Sequence, residues 1–335
     1  MSGADEQKLA KNYTTNAEAY QLYLQGRYHW NKRTREGVNK GIEYFQMAIE
    51  KDPEYALAYA ALADCYVVIP ILPPREANPK AKAAALKALE LDSSLGEAHA
   101  VLGNVSFYYE WDWATAEREY KRAIELNPNY PTAHHWYGES LAAMGRFDES
   151  FAAYNRALEL DPLSFAISTD LGLAYYYARQ YDRAIEHIKK LVDLDPAYVR
   201  THEYLSIVYE EKEMFEESLA EREKALVLQG ENAEKVAKWK AVIIDALKKS
   251  GAKGYWQKFL DFKKEDLKKE EYVYPVDMAV FYAKLNERDE AFRWLEKAFE
   301  DRDSVMTFLK VTPEWDNLRP DPRFQDLLGR VGLPQ

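Results

Sequence analysis

The sequence predicts an all-α protein built as a stack of antiparallel helix pairs, and three observations carry that expectation. Pro128, Pro162 and Pro196 fall thirty-four residues apart. Self-similarity at that length marks helix-turn-helix repeats that stack into a solenoid. A bulky residue and then a small one, Tyr137-Gly138, recurs at the same interval as Leu171-Gly172 and, with Ser for Gly, as Leu205-Ser206. A later small residue recurs as Ser150, Ala184 and Ser218. The spacing has a steric reason. Each unit is a helix A followed by a helix B, and their axes must cross at about 8–10 Å. Only Gly, Ala or Ser fits at that crossing, as at Ala63, Gly103, Gly138 and Gly172 on the A helices and Ala116, Ala184 and Ala291 on the B helices. Large neighbours such as Leu62, Leu102, Tyr175 and Tyr209 fill the space on either side. Asp52-Pro53, Asn127-Pro128, Asp161-Pro162 and Asp195-Pro196 end their B helices, because the residue before Pro is pushed out of the α region.

Over most of the chain these positions closely resemble the tetratricopeptide repeat. The resemblance implies a right-handed superhelix of about eight antiparallel helix pairs. Units of about thirty-four residues begin near Ala19, Ala56 and Gly96, continue through three clean repeats, and end with pairs over residues 237–270 and 272–305. The seventh is degenerate and keeps little beyond Gly251 in its turn. Residues 69–74, with three prolines in five residues, are expected to be non-helical. At the C-terminus Asp321-Pro322 reads as an N-cap with Pro at the first helical position. Phe324, Leu327, Leu328 and Val331 follow as one apolar stripe. A solenoid needs its last apolar face covered, so this helix is expected to cap the array. The expected organisation is a lead segment over residues 1–18, the array over 19–305 and the cap over 306–335.

Composition narrows the function. A formal net charge of -11 excludes a general nucleic-acid binder, which needs a basic face. Residues 231–271 are the exception, with eleven lysines against eight acids, and read as a solvated helix face. No apolar stretch reaches membrane-spanning length, and the polar residues 1–11 do not resemble a secretory signal. The single cysteine, Cys65, fits a reducing compartment and an inert packed thiol. A cytoplasmic location is therefore expected.

Catalytic patterns are missing. The sequence holds no phosphate-binding Gly-rich loop, no paired cysteines and no His-Glu-x-x-His helix. Gly138-Glu139-Ser140 lacks the third glycine of a nucleophile elbow and falls mid-helix. His99, His134 and His202 share the fourth position of their repeats, with His135 beside His134. Equivalent residues of neighbouring repeats stand roughly a helix diameter, ~10 Å, apart, too far to share one ion. Packing is their expected role, and no metal or other cofactor is assigned.

The remaining function is binding. In this family the A helices line a concave groove, and positions two, five, nine and twelve of each repeat point into it, one stripe of a helix. The groove positions are Asn104 and Phe107, then Thr132, His135 and Glu139, then Thr169 and Tyr176, then Arg200, Glu203 and Glu210. Tyr108, Trp136, Tyr177 and Tyr204 lie beside them. Aromatics with carboxylates suit a peptide bearing Lys or Arg, through charge pairing and cation–π contact. The same aromatics could equally serve as core between helices. Chaperone-binding members clamp a C-terminal carboxylate with Lys and Asn. The corresponding pairs here are Ala60/Asp64, Ala100/Asn104 and His135/Glu139, so an acidic chaperone tail is disfavoured.

Three further phrases are similar to one bacterial subgroup: residues 16–20 with 23–28, Ala133-His134-His135-Trp136-Tyr137, and Leu318-Arg319-Pro320-Asp321-Pro322-Arg323-Phe324. That subgroup carries such arrays behind winged-helix, kinase or TolB-like domains, none of which is present in residues 1–335. The expected function is a non-catalytic scaffold that binds a peptide or protein in the groove, with self-association a further possibility. The alternative is a sensor module that binds a small molecule or metal and controls an attached effector.

Overall fold

The computed structural model describes residues 14–32, 34–68, 72–269 and 273–333. Residues 1–13 of the expected lead segment, and residues 69–71 of the proline-rich insertion, lie outside the described residues. Among the described residues there are sixteen α-helices and no strand, and the all-α solenoid class expected from the period is what the chain adopts. Two compact units divide it, Met1–Tyr137 and Gly138–Gln335.

In the first unit, α1 (Ala17–Trp30) pairs with α2 (Arg35–Lys51), α3 (Ala56–Val68) with α4 (Pro74–Leu91), and α5 (Gly96–Val105) with α6 (Trp113–Leu126). Helix α1 starts at Asn16, whose side chain accepts from the Glu18 and Ala19 N–H groups, and α2 starts at Thr34, which accepts from Gly37. Both satisfy donors that a helix start leaves orphaned. Small Ala19, Ala48 and Ala58 close around the Tyr55 ring. Pro74 corrects one expectation: it is the first residue of α4, a position where the missing N–H is no loss. A π-helical turn, Ser106–Glu110, extends α5. Cys65 is buried.

In the second unit, α7 (Pro131–Ala143), which begins seven residues before the boundary, leads to α8 (Phe147–Leu160). Then come α9 (Phe165–Tyr177) with α10 (Tyr181–Leu194), and α11 (Val199–Glu211) with α12 (Phe215–Leu228). The crossing rule is visible at Gly172, where an added Cβ would stand 2.6 Å from Ile188 Cγ1. Tyr154, Leu171, Tyr175, Ile188 and Leu205 form the core around it. The period also appears in the backbone. Trp111, Gly145, Arg179 and Glu213, each thirty-four residues apart, have φ of 57, 78, 63 and 56°. Each follows an A helix, and from Gly145 onward the next N–H reaches back to close it, as Gln180 does to the Tyr175 carbonyl (2.9 Å). This is the left-handed C-terminal cap, although only one of the four is glycine.

Helix α13 (Ala233–Lys268) is broken at Ser250–Gly251, where Gly251 has φ 58° and ψ −150°, a region open essentially to glycine alone. The two halves bury Trp256 and Phe259 with Tyr255 and Ile243 against Phe215. Next come α14 (Pro275–Lys284) and α15 (Arg288–Glu300), then two 3₁₀ turns, Ser304–Phe308 and Pro313–Trp315, and finally α16 (Pro322–Val331). Asp321 caps α16 by accepting from the Arg323 N–H, and Phe324, Leu327, Leu328 and Val331 are all buried. No helix among the described residues is long and apolar enough to cross a membrane.

Candidate functional site

Counting positions along a helix gives the direction of a side chain from the axis. What packs in front of it is a separate matter, and several expected groove residues are covered. Phe107 is 1% exposed, with Tyr108 and Trp113 edge-on to its ring at 4.7 and 5.5 Å. Asn104 and Trp136 are buried as well, while Tyr108 and His135 stay half-buried. In the second unit Thr169 and Tyr176 are core residues at 0 and 1% exposure. Five residues therefore leave the groove because neighbouring helices and rings close over them: Asn104, Phe107, Trp136, Thr169 and Tyr176.

The acids are also redistributed. Glu210 is buried, and its Oε1 accepts from Arg222 (2.9 Å), the Tyr255 hydroxyl (2.6 Å) and Ser218 (3.1 Å). Such a carboxylate, fully supplied with donors, ties α11 to α12 and α13 and offers nothing to a partner. Glu203 accepts from the Gln229 amide at 2.7 Å. Three of the histidines make hydrogen bonds within the fold. His134 Nε2 donates to the Pro128 carbonyl (3.0 Å) and His202 Nε2 to the Pro196 carbonyl (2.9 Å). Nδ1 of His99 and of His202 contacts Glu119 (2.7 Å) and Glu221 (2.6 Å) on their partner helices.

A polar cluster survives on the A-helix face of the second unit. Arg200 Nη2 donates to Asp170 Oδ1 (2.7 Å) and contacts the Tyr204 hydroxyl (2.6 Å), and its guanidinium lies 5.3 Å from the Tyr204 ring centre. Asp170 is buried while the Arg200 side chain stays 42% exposed. Tyr204 and Tyr177 are half-buried. Burial, then the fields of their neighbours, push the hydroxyls of both above the ordinary tyrosine range, and Glu139 and Asp170 act on each. Glu139, Asp170, Tyr177, Arg200 and Tyr204 are thus brought together from α7, α9 and α11. Asp170 had no place among the sequence candidates, because its role appears only once Arg200 is set against it.

One edge of this face is occupied by the chain itself. The Phe308 ring stacks on Tyr177 at 5.1 Å and 15°. Arg179 grips the same segment: it donates to the Val311 carbonyl and forms a two-pronged pair with Asp316 (2.7 and 3.3 Å). The Asn317 amide donates to the Ala283 carbonyl (2.7 Å) at the end of α14. Glu314 faces Glu211 and Lys284, which pair with one another. The sequence signal for Arg179 is a long cation at the turn position that Gly145 fills one repeat earlier.

The same helices carry the family assignment. A model of the tetratricopeptide repeat matches residues 105–165 and 169–233. The chain carries tetratricopeptide repeats. Transcriptional regulator HilA of Salmonella typhimurium is 28% identical over 160 residues, 47% of this chain and 29% of HilA. Hsp70-Hsp90 organizing protein 2 of Arabidopsis thaliana is 28% identical over 105 residues, 31% of this chain and 18% of that protein. The chain therefore spans less than a third of either relative. A crystal structure of the APC/C hetero-tetramer Cut9-Hcn1 aligns with TM-score 0.50 at 16% identity, covering 67% of this chain and 46% of that one; at that identity the likeness is one of fold. The tetratricopeptide fold is in general a scaffold for protein–protein interaction.

Proposed function

We propose that this chain is a non-catalytic scaffold that holds a protein segment on the A-helix face of its second unit. The observation that carries this reading is the convergence of Glu139, Tyr177, Arg200 and Tyr204 from three successive A helices onto one half-buried face. Asp170 already neutralises Arg200, and Glu139 adds a carboxylate to the same face. That favours a partner segment with Lys or Arg beside an aromatic side chain, held by charge pairing and by the faces of Tyr177 and Tyr204. An acidic chaperone tail does not fit, since Asp64 and Asn104 are buried where a clamp would need exposed Lys and Asn. The likeness to HilA supports a place for such a scaffold in regulation.

A photo-crosslinking amino acid at position 204 tests the reading, with position 190 on the solvent side of α10 as control. Position 204 should capture a discrete protein that position 190 does not, and Glu139→Lys should weaken that capture several-fold. Identical captures from both positions, or no response to Glu139→Lys, would overturn it.

A further inference from the structure

The outward side of α1 carries an apolar stripe. Tyr20, Leu24 and Tyr28 are 50, 47 and 64% exposed, and a spacing of four residues sets them one above another on a single helical face. The other exposed residues between Tyr20 and Tyr28 are Gln21 and Gln25, so this face holds no charge in a chain whose residues are 30% charged. The opposite side of α1 is used by the fold. Gly26 admits the Phe45 ring of α2, where an added Cβ would stand 2.5 Å from Cε1, and Tyr23 meets the rings of Phe45 (5.7 Å) and Tyr55 (5.3 Å). The last helix is finished differently: α16 buries its apolar stripe and exposes Arg323, Asp326 and Arg330. Single apolar residues at a surface need no explanation, whereas three in register on one helix mark a contact.

Two properties of the stripe point to what covers it. It reads the same in both directions: Tyr, three residues, Leu, three residues, Tyr. A twofold axis at Leu24 therefore sets an antiparallel copy of α1 with Leu24 on Leu24 and Tyr20 on Tyr28, the self-complementary contact of an isologous dimer. The charges lie beyond the stripe and differ in sign. Glu18, paired with Lys51 at 2.9 Å, stands before it, and Lys32, whose Nζ lies 4.7 Å from the centre of the Tyr28 ring, stands after it. Antiparallel copies bring Lys32 of each toward Glu18 of the other, while parallel copies set like against like. At a net charge of -11 two chains repel one another as wholes, so contact costs least at a charge-free stripe.

We infer that the exposed face of α1 is a self-association surface, through which two copies of this chain pair as antiparallel helices about a twofold axis. The stripe belongs to the first unit and stands independently of the scaffold reading. Its tyrosines and leucine supply the burial. Three such residues a side make a small interface, below about 1,200 Å² in total, so the pairing is weak and emerges as the chain is concentrated.

Sedimentation velocity of the full chain at rising concentration should show a monomer–dimer equilibrium. Leu24→Asp sets two carboxylates together on the axis and should weaken it at least about tenfold, with an unchanged circular dichroism spectrum. Geometry is read from cysteine variants under mild oxidation, the native Cys65 being buried. Leu24→Cys should give a disulfide-linked dimer, and Gln325→Cys, on the exposed side of α16, should not. Tyr20→Cys and Tyr28→Cys should cross-link when mixed and poorly alone. In the antiparallel pair the two copies of position 20 stand about 12 Å apart along the axis, beyond disulfide reach. A monomer at every concentration, a dimer indifferent to Leu24→Asp, or equal cross-linking of Leu24→Cys and Gln325→Cys would overturn the pairing. Efficient cross-linking of Tyr20→Cys with itself would refute the antiparallel geometry. If the chain stays monomeric, the thiol introduced at position 24 identifies the other occupants. Slow reaction with a thiol reagent places the stripe beneath another part of the same chain, and fast reaction leaves it to a different protein.

Discussion

Burial, and then the Glu211 carboxylate facing it, push the Glu314 carboxyl up from an ordinary 4.5 to about 7. Lys284 and Tyr176 oppose that rise without cancelling it. The sign of the consequence follows from linkage. Between the two values the folded chain holds a proton that the unfolded chain has lost, so stability falls as pH rises through that window. Glu314→Gln, neutral throughout, should leave the melting temperature nearly unchanged at pH 4, below the window, and raise it by a few °C at pH 8. Thermal melts at the two pH values check it, and an equal effect at both would refute the linkage. Glu213 offers a second test. It is exposed and holds a left-handed conformation (φ 56°) that costs a non-glycine residue roughly 1–2 kcal/mol. Glu213→Gly should stabilise by about 0.5–1 kcal/mol once the larger unfolded-state entropy of glycine is deducted, read from urea midpoints.

At the level of elements, the regular pairs and the degenerate one solve the same crossing problem by different means. In α9 and α10 a helical Gly172 admits Ile188. In α13 the crossing lies close to the turn. Gly251 reverses the chain, and Gly254 lets the second half pass the Ala246 carbonyl, where an added Cβ would stand 2.2 Å away. Backbone cannot yield as a side chain can, so Gly254→Ala should cost about 2–3 kcal/mol, despite the better helix propensity of alanine. A wild-type denaturation midpoint for this variant would show that the two halves are not held so closely. Element boundaries in the clean repeats follow from Pro, Gly and the bulky–small pairs. The π turn after α5 has no comparable sign, since Ser106 to Glu110 read as ordinary helix.

At the scale of the whole second unit, its last segment is bound to its early helices, and Arg179 meets Asp316 across 137 positions of sequence. The pair is partly exposed, so its net worth is bounded by solvent screening at about 0.5–1 kcal/mol. A double-mutant cycle of Arg179→Ala and Asp316→Ala should return a coupling of that size, and zero coupling would remove this contact from the forces holding the segment. The face bearing Glu139, Arg200 and Tyr204 is partly legible beforehand, because the repeat register gives direction from each helix. The segment that shares that face was expected only as the start of an end cap.

The sequence by itself determined the repeat, its thirty-four-residue interval and the helix pairs, since these rest on local sterics: where Pro ends a helix, where only a small side chain admits a neighbour. It also gave the direction in which each A-helix residue leaves its axis. Tertiary structure alone decided which residues of the A-helix face remain available. Phe107, Thr169 and Tyr176 are lost to packing and Glu210 to internal hydrogen bonds. Asp170 is gained through Arg200, and residues 304–319 come to lie over one edge. These outcomes depend on contacts between residues far apart in the chain, and a periodicity, which compares each residue only with its equivalents, carries no record of them.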